Sequence, residues 1–335
     1  MAFYFGSNKI DNLNEVTNIS VDNLYLQKQL SYFENNDITR VGPQAFAYCS
    51  SLVSVNLPNI ITISTHAFSR CSALASVNVP NVITIGTSAF AYCSALTSID
   101  LSKVTTINSY AFIYCTNLST INIPNVAAIG SSAFMSCFAL TSIDLSKITS
   151  VNSFAFAYCS ALVSVNLSNA ISIYTAAFQN CIALSSISCS KVQIIAQSAF
   201  LNCYNLTRIS FLSVRTIGNS AFAKCSSLSV VNVPKLSIIE SYAFNYCSYL
   251  SRIDLPSITA IRSYAFRSCY RLISLYVIGS SIPNLVSTAF DSTPIGGYTT
   301  KTGGMYGSIY VRSSLYSSFR TAPVWSLFAS RIKSA

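Results

Sequence analysis

Ala133-Phe134-Met135-Ser136-Cys137-Phe138-Ala139-Leu140-Thr141-Ser142-Ile143-Asp144-Leu145-Ser146-Lys147-Ile148-Thr149-Ser150-Val151 is one copy of a unit that recurs every 22 residues. Its Ala-Phe pair returns in phase at Phe46, Phe68, Phe90, Phe112, Phe134, Phe156, Phe178, Phe200, Phe222, Phe244 and Phe266. A cysteine follows each Phe by three residues, and a leucine follows each cysteine by three more. A fixed period of this length is the signature of a solenoid, in which no single unit can bury its apolar face alone.

Within the unit, Leu52, Val55 and Leu57 are inward positions, and the one-residue gap between the last two is strand periodicity. Proline or serine then ends most strands, as at Pro58, Pro80 and Pro124. Val/Ile-x-x-Ile comes next, followed by a polar turn to the next Ala-Phe. The three-residue steps from Phe to Cys to Leu predict a short helical turn or irregular segment opposite the strand. The predicted fold is therefore an α/β solenoid with a continuous parallel β-sheet on one face. Paired strands lie about 4.8 Å apart, so eleven coils make a sheet roughly 50 Å long.

The boundaries follow from the phase. Residues 1–36 are read as an arm and a degenerate capping repeat, in which Val16, Ile19, Leu24, Leu30 and Phe33 hold core positions while Asn23 and Gln27 replace Ala and Cys. Residues 37–290 are the array of about eleven repeats. The phase slips by two at Ala289-Phe290, and residues 291–335 are read as a C-terminal cap. That cap has a Gly-rich loop (296–307), a strand at 308–311 and an amphipathic helix from Ser313 to Ile332 interrupted near Pro323. The loop lacks the Lys-Ser/Thr of a phosphate-binding loop and reads as a turn.

Half of the residues are hydrophobic and 9% are charged, yet the apolar residues are spread at short intervals, and no run approaches the roughly 18 that a membrane-spanning helix needs. The start, Met1 to Ile10, lacks a basic segment followed by an apolar one, so it does not read as a secretory signal. Residues 1–199 carry 7 basic and 7 acidic side chains, whereas residues 200–335 carry 13 and 3, which places the whole excess of +10 in the second part. Eleven of the twelve cysteines share one repeat position, so they read as buried free thiols used as small hydrophobes. A one-per-coil ladder does not converge on a tetrahedral metal, and pairing within it would leave one cysteine over. No cofactor or metal is expected.

From Cys115 to Cys137 the pattern Cys-x-x-Leu-x-x-Ile-x-Ile-Pro-x-x-Val-x-x-Ile-Gly-x-x-Ala-Phe-x-x-Cys is almost complete. It resembles the BspA-like leucine-rich repeat. The resemblance implies adhesion or recognition at a cell surface, or on a virion, and no catalysis.

The residues themselves point the same way. The single histidine, His66, lies in a polar turn, and no nucleophile has a base at motif spacing. Asp100 and Asp144 share the sheet face two coils apart, about the carboxylate separation of inverting glycosidases, but on a flat polar surface with nothing to raise one pKa. One outward column runs Asn56, Asn78, Asp100, Asn122, Asp144, Asn166, Ser188, Ser210, Asn232, Asp254, Tyr276, a lawn of small polar groups that changes character at its end. Its neighbour gains Arg208, Val230 and Arg252 in the same region. Arg and Tyr are the side chains that carry binding hot spots. The candidate partner-binding residues are thus Arg208, Arg252, Asp254 and Tyr276, with Asp100, Asn122 and Asp144 as a polar patch. The expected function is non-enzymatic recognition of a protein or glycan on a cell surface, as in a bacterial or phage attachment protein. The alternative is a structural module that assembles with other copies or a larger particle; nucleic acid is a weak third. Lys103, Lys147, Lys191 and Lys235 lie 44 residues apart, with Asn59, Asn81, Asn125 and Asn169 in intervening copies, a second period superposed on the first.

Overall fold

A computed structural model describes residues 29–298 and 305–335, together with the backbone of an antiparallel pair, Phe3–Phe5 with Asn8–Ile10. The readings of Val16, Ile19, Asn23, Leu24 and Gln27, and of the middle of the Gly-rich loop, lie outside the described residues. The chain divides into two compact units, residues 1–162 and 163–335.

In the first unit each coil contributes two parallel strands. Three-residue strands (Tyr32–Glu34, Ser54–Asn56, Ser76–Asn78, Ser98–Asp100, Thr120–Asn122, Ser142–Asp144) make up a first ladder, whose pairing is interrupted after Asn78 and after Asn122. Two-residue strands (Arg40–Val41, Thr62–Ile63, Thr84–Ile85, Thr106–Ile107, Ala128–Ile129) form a second, paired without a break. The register is the sequence period itself: Ser54 pairs with Ser76 and Thr62 with Thr84. The second ladder arises from the Val/Ile-x-x-Ile segment, whose strand character the sequence reading did not assign.

The second unit repeats this plan. Its first ladder, likewise interrupted, pairs Ser164–Asn166 with Ser186–Ser188, Arg208–Ser210 with Val230–Asn232, and Arg252–Asp254 through Ser274–Val277 and Ser308–Val311 to Ile332–Ser334, while its second runs from Ser172–Ile173 to Asn284–Leu285. The two extra residues before Phe290 are absorbed between Val277 and Asn284, so the Phe266 ring still stacks on that of Phe290.

The segment opposite the first ladder is not helical. Each coil carries two left-handed residues four apart, such as Gln44 and Tyr48 (φ 58° and 65°) or Ser88 and Tyr92 (φ 54° and 62°). A right-handed helical turn requires negative φ throughout, so this side is built of tight turns instead. Their N–H groups donate to the next coil, as in Phe46 to Ala67 (2.7 Å) and Tyr48 to Ser69 (2.7 Å).

Columns of buried side chains fill the coils, phenylalanine and cysteine among them. Phe rings stack from Phe46 to Phe156 in the first unit at 5.0–5.4 Å between centroids, with their planes nearly parallel. A second stack runs from Phe178 to Phe290. The cysteines are buried and free, and each thiol from Cys71 to Cys159 donates to the Phe carbonyl of the preceding coil, as Cys137 Sγ does to Phe112 (3.2 Å). That carbonyl already accepts the N–H of its own cysteine, so the sulfur supplies a second donor where a methyl group could not.

The 44-residue period has a structural cause. Asn81 and Asn125 donate their amides to the carbonyls of Pro58 and Ser102 in the preceding coil (both 2.8 Å). The lysine one coil on then donates to the amide oxygen, Lys103 to Asn81 and Lys147 to Asn125 (2.9 Å for the latter). Asparagine links backward and lysine closes the relay, so the two alternate. Because these bonds are exposed, Asn125→Ala is expected to cost about 0.5–1.5 kcal/mol in a denaturation titration. A loss above the core-truncation range would show that more than a surface relay was removed.

The cap differs from its prediction. The region 313–332 is a short turn of 3₁₀ helix, an α-helix at Tyr316–Thr321 and a second 3₁₀ segment at Trp325–Arg331. Phe319, Trp325 and Phe328 are buried, and the Trp325 indole N–H donates to the Pro283 carbonyl (2.8 Å). Leu327, one of the apolar residues on which an amphipathic helix here would rest, is 68% exposed. The 3₁₀ geometry around Pro323 turns it away from the face that a continuous helix would have presented.

Candidate partner-binding surface

On a strand, successive side chains point to opposite faces, so residues 252 and 254 stand side by side on the exposed face while Ile253 enters the core. Arg252 and Asp254 form a bidentate pair, Nε to Oδ1 and Nη2 to Oδ2, both at 2.8 Å. Their side chains are 57% and 48% exposed. The hydrogen bonds that Arg252 donates to Asp254 hold its guanidinium above its ordinary pKa. One coil on, the guanidinium lies over the Tyr276 ring, 4.0 Å from its centroid. Tyr276 in turn stacks on Tyr310 at 4.4 Å, and the Lys333 ammonium stands 6.0 Å from the Tyr310 ring.

Four of these residues are consecutive in register, Asp254 facing Tyr276, Tyr276 facing Tyr310 and Tyr310 facing Lys333, and Arg252 flanks them on the strand of Asp254. Sequence reading found Arg252, Asp254 and Tyr276 but missed Tyr310 and Lys333. The insertion carrying the Gly-rich loop puts Tyr310 34 residues after Tyr276 instead of 22. The signal was present, since Ser308-Ile-Tyr-Val311 repeats Ser274-Leu-Tyr-Val277.

Arg208 is on the same face, paired in register with the exposed Val230. The structure gives it no hydrogen bond to the Arg252 cluster among the described residues.

In the first unit, Asp100, Asn122 and Asp144 are exposed on the sheet face as expected. Asn122 donates to Asp100 (2.9 Å), and the carboxylates accept the Ser102 and Ser146 N–H groups, closing the turn after each strand. The same column continues backward: Asn78 donates to Asn56 and Asn56 to Glu34 (both 2.7 Å). Asn side-chain amides thus hydrogen-bond from coil to coil along this column, and both aspartates already serve the backbone. His66 lines a groove on the turn face.

Parallel coils of this length, phenylalanine and cysteine columns and an exposed ladder face define a leucine-rich repeat scaffold, a fold whose typical work is non-catalytic recognition. The profile of the BspA type leucine rich repeat region matches residues 17–139, 83–207, 127–248 and 193–301. The chain belongs to that family. Among solved structures, a leucine-rich repeat protein from Bacteroides ovatus is 22% identical over all of this chain and 90% of its own, with a TM-score of 0.66. A leucine rich cell surface protein from Faecalibacterium prausnitzii is 25% identical over 66% of this chain and 78% of its own, with a TM-score of 0.38. The pneumococcal vaccine antigen PcpA is 16% identical over 95% and 89%, with a TM-score of 0.46. No curated protein sequence matches the chain. Among the described residues no helix is long and apolar enough to cross a membrane.

Proposed function

We propose that this protein is a non-enzymatic recognition protein that binds a protein or glycan on a cell surface through the sheet face of its second unit. The supporting observation is the row Arg252–Asp254–Tyr276–Tyr310–Lys333. Its aromatic rings and guanidinium are exposed or half-buried, yet held in place by a bidentate pair and stacking. Side chains ordered before binding lose less entropy on association. Arg and Tyr also offer the largest contact energy per residue at an interface.

Membership of a leucine-rich repeat family, whose fold typically serves non-catalytic recognition, supports the same reading. Attachment as part of a bacterial or phage surface fits this reading. Assembly into a larger particle is the competing one, and light scattering across concentrations separates them, because recognition requires no self-association.

The test is an array of cell-surface glycans and extracellular matrix proteins probed with the wild type and an Arg208→Ala, Arg252→Ala, Tyr276→Ala variant. Wild-type signals that disappear in the folded variant are the expected result. Signals that all persist would place recognition elsewhere.

A further inference from the structure

The face opposite the first ladder carries a groove of about 600 Å³ in the first unit, lined by the two columns of left-handed turn residues. Gln44, His66 and Tyr110 come from one column, and Tyr48, Arg70 and Tyr92 from the other. We propose that this groove binds an acidic sugar, a glycan bearing a carboxylate or a sulfate, with Arg70 as its anchor.

The charge is the first argument. Arg70 is exposed, its guanidinium carbon 4.5 Å from the Tyr92 ring centroid and 5.6 Å from that of Tyr48. Its faces are thus taken by cation–π contact, while its N–H groups have no hydrogen bond or carboxylate partner among the described residues. A guanidinium so held presents a planar fork that matches a carboxylate or sulfate in two-point geometry.

The choice of residues is the second argument. A left-handed backbone favours Asn among side chains, and the corresponding column in the second unit opens with it at Asn180 and Asn202 before Lys224, Tyr246 and Ser268. In the first unit the same position holds Tyr48, Arg70, Tyr92, Tyr114, Ser136 and Tyr158, with no Asn and, Ser136 apart, large side chains against local preference. Such departures from local consistency are expected where a surface has work to do.

The third argument selects a sugar over a peptide. The N–H groups of the groove-lining turns are already given to the next coil: Gln44 to Thr65, Tyr48 to Ser69, His66 to Thr87, Arg70 to Ala91, Tyr92 to Ile113. An extended peptide would find few main-chain donors to pair with. What remains is the exposed rings of Tyr48 and Tyr110, phenolic hydroxyls, an amide and one cation, since the two faces of Tyr92 are taken by Arg70 and by Tyr114, 4.9 Å away. Ring faces suit the apolar side of a pyranose, and the groove volume lies in the range of small-molecule sites.

The experiment is calorimetric titration of the full chain with 3′-sialyllactose, 3′-sulfolactose and lactose. The expected result is binding of at least one acidic sugar, with lactose at least about tenfold weaker, the scale of one lost ionic contact. Arg70→Gln should erase that preference and Tyr110→Ala should weaken all binding, while an Arg252→Ala, Tyr276→Ala double variant binds as the wild type does. That last arm separates this groove from the sheet-face surface, so either can fail alone. Equal affinity for lactose, no acidic-sugar binding, unchanged affinity in folded Arg70→Gln, or retention of a polyglutamate peptide in place of sugars would each overturn the proposal.

Discussion

Phe134→Ala is expected to destabilise the protein by about 3–5 kcal/mol in chemical denaturation, the range for truncating a buried Phe. The ring is fully buried and lies 5.3 Å from Phe112 and 5.4 Å from Phe156, centroid to centroid. Both neighbours are held by coil-to-coil hydrogen bonds, Phe112 N–H to Ala133 and Phe134 N–H to Ala155 (2.8 Å each). The coils therefore cannot close over the space, and the cavity term is added in full to the lost transfer energy. Because each coil touches only its neighbours, the damage weakens two interfaces at once. Phe138→Ala is the control: that ring is 43% exposed, and its loss should stay within about 0.5 kcal/mol. Equal effects at the two sites would show that the ring column is not what holds the coils together.

The second large effect is alkaline. Burial pushes the thiols of Cys49, Cys159 and Cys189 up to about 12 and raises ladder thiols such as Cys71 and Cys269 as well. An unfolded cysteine ionises near 8.5. Between those values the unfolded chain has lost protons that the folded chain keeps, so stability falls as pH rises, and the full contribution is present only below the unfolded value. Each such thiol removes about 1.4 kcal/mol per pH unit, and three suffice for about 4. Melting under reducing conditions should show a plateau below pH 8 and a collapse above about pH 9. In parallel, the native thiols should resist an aromatic disulfide reagent at pH 8, since the neutral buried thiol is not a nucleophile. A stability profile that stays flat to pH 10.5, or prompt labelling of the folded protein, would contradict a buried thiol ladder.

The repeat was legible because every core column is a fixed distance in sequence: Phe, Cys and Leu recur without slip, and their burial follows. The second ladder was harder to read, since two residues such as Thr62–Ile63 are too short to show strand alternation. The turn geometry was hidden for a different reason. Left-handed backbone is normally flagged by Gly or Asn, and here Tyr, Arg and Ser adopt it because coil-to-coil hydrogen bonds over-determine the turn. Half of the candidate surface could be read from Arg252, Asp254 and Tyr276. The rest, Tyr310 and Lys333, lies beyond an insertion that breaks the count, and only backbone pairing restores the column. Arg70 between Tyr48 and Tyr92 was invisible as a cluster until the turns were known to place consecutive coils ring over guanidinium.

The central claim is that the ordered row on the second unit's sheet face carries recognition. Its most direct test is a biolayer interferometry titration of a ligand that the array identifies and that Arg70→Gln protein still binds, comparing the wild type with an Arg252→Ala, Tyr276→Ala double variant. Loss of two hot-spot side chains should weaken affinity by about 30-fold or more with an unchanged melting temperature. An unchanged Kd in a folded double variant would contradict the claim.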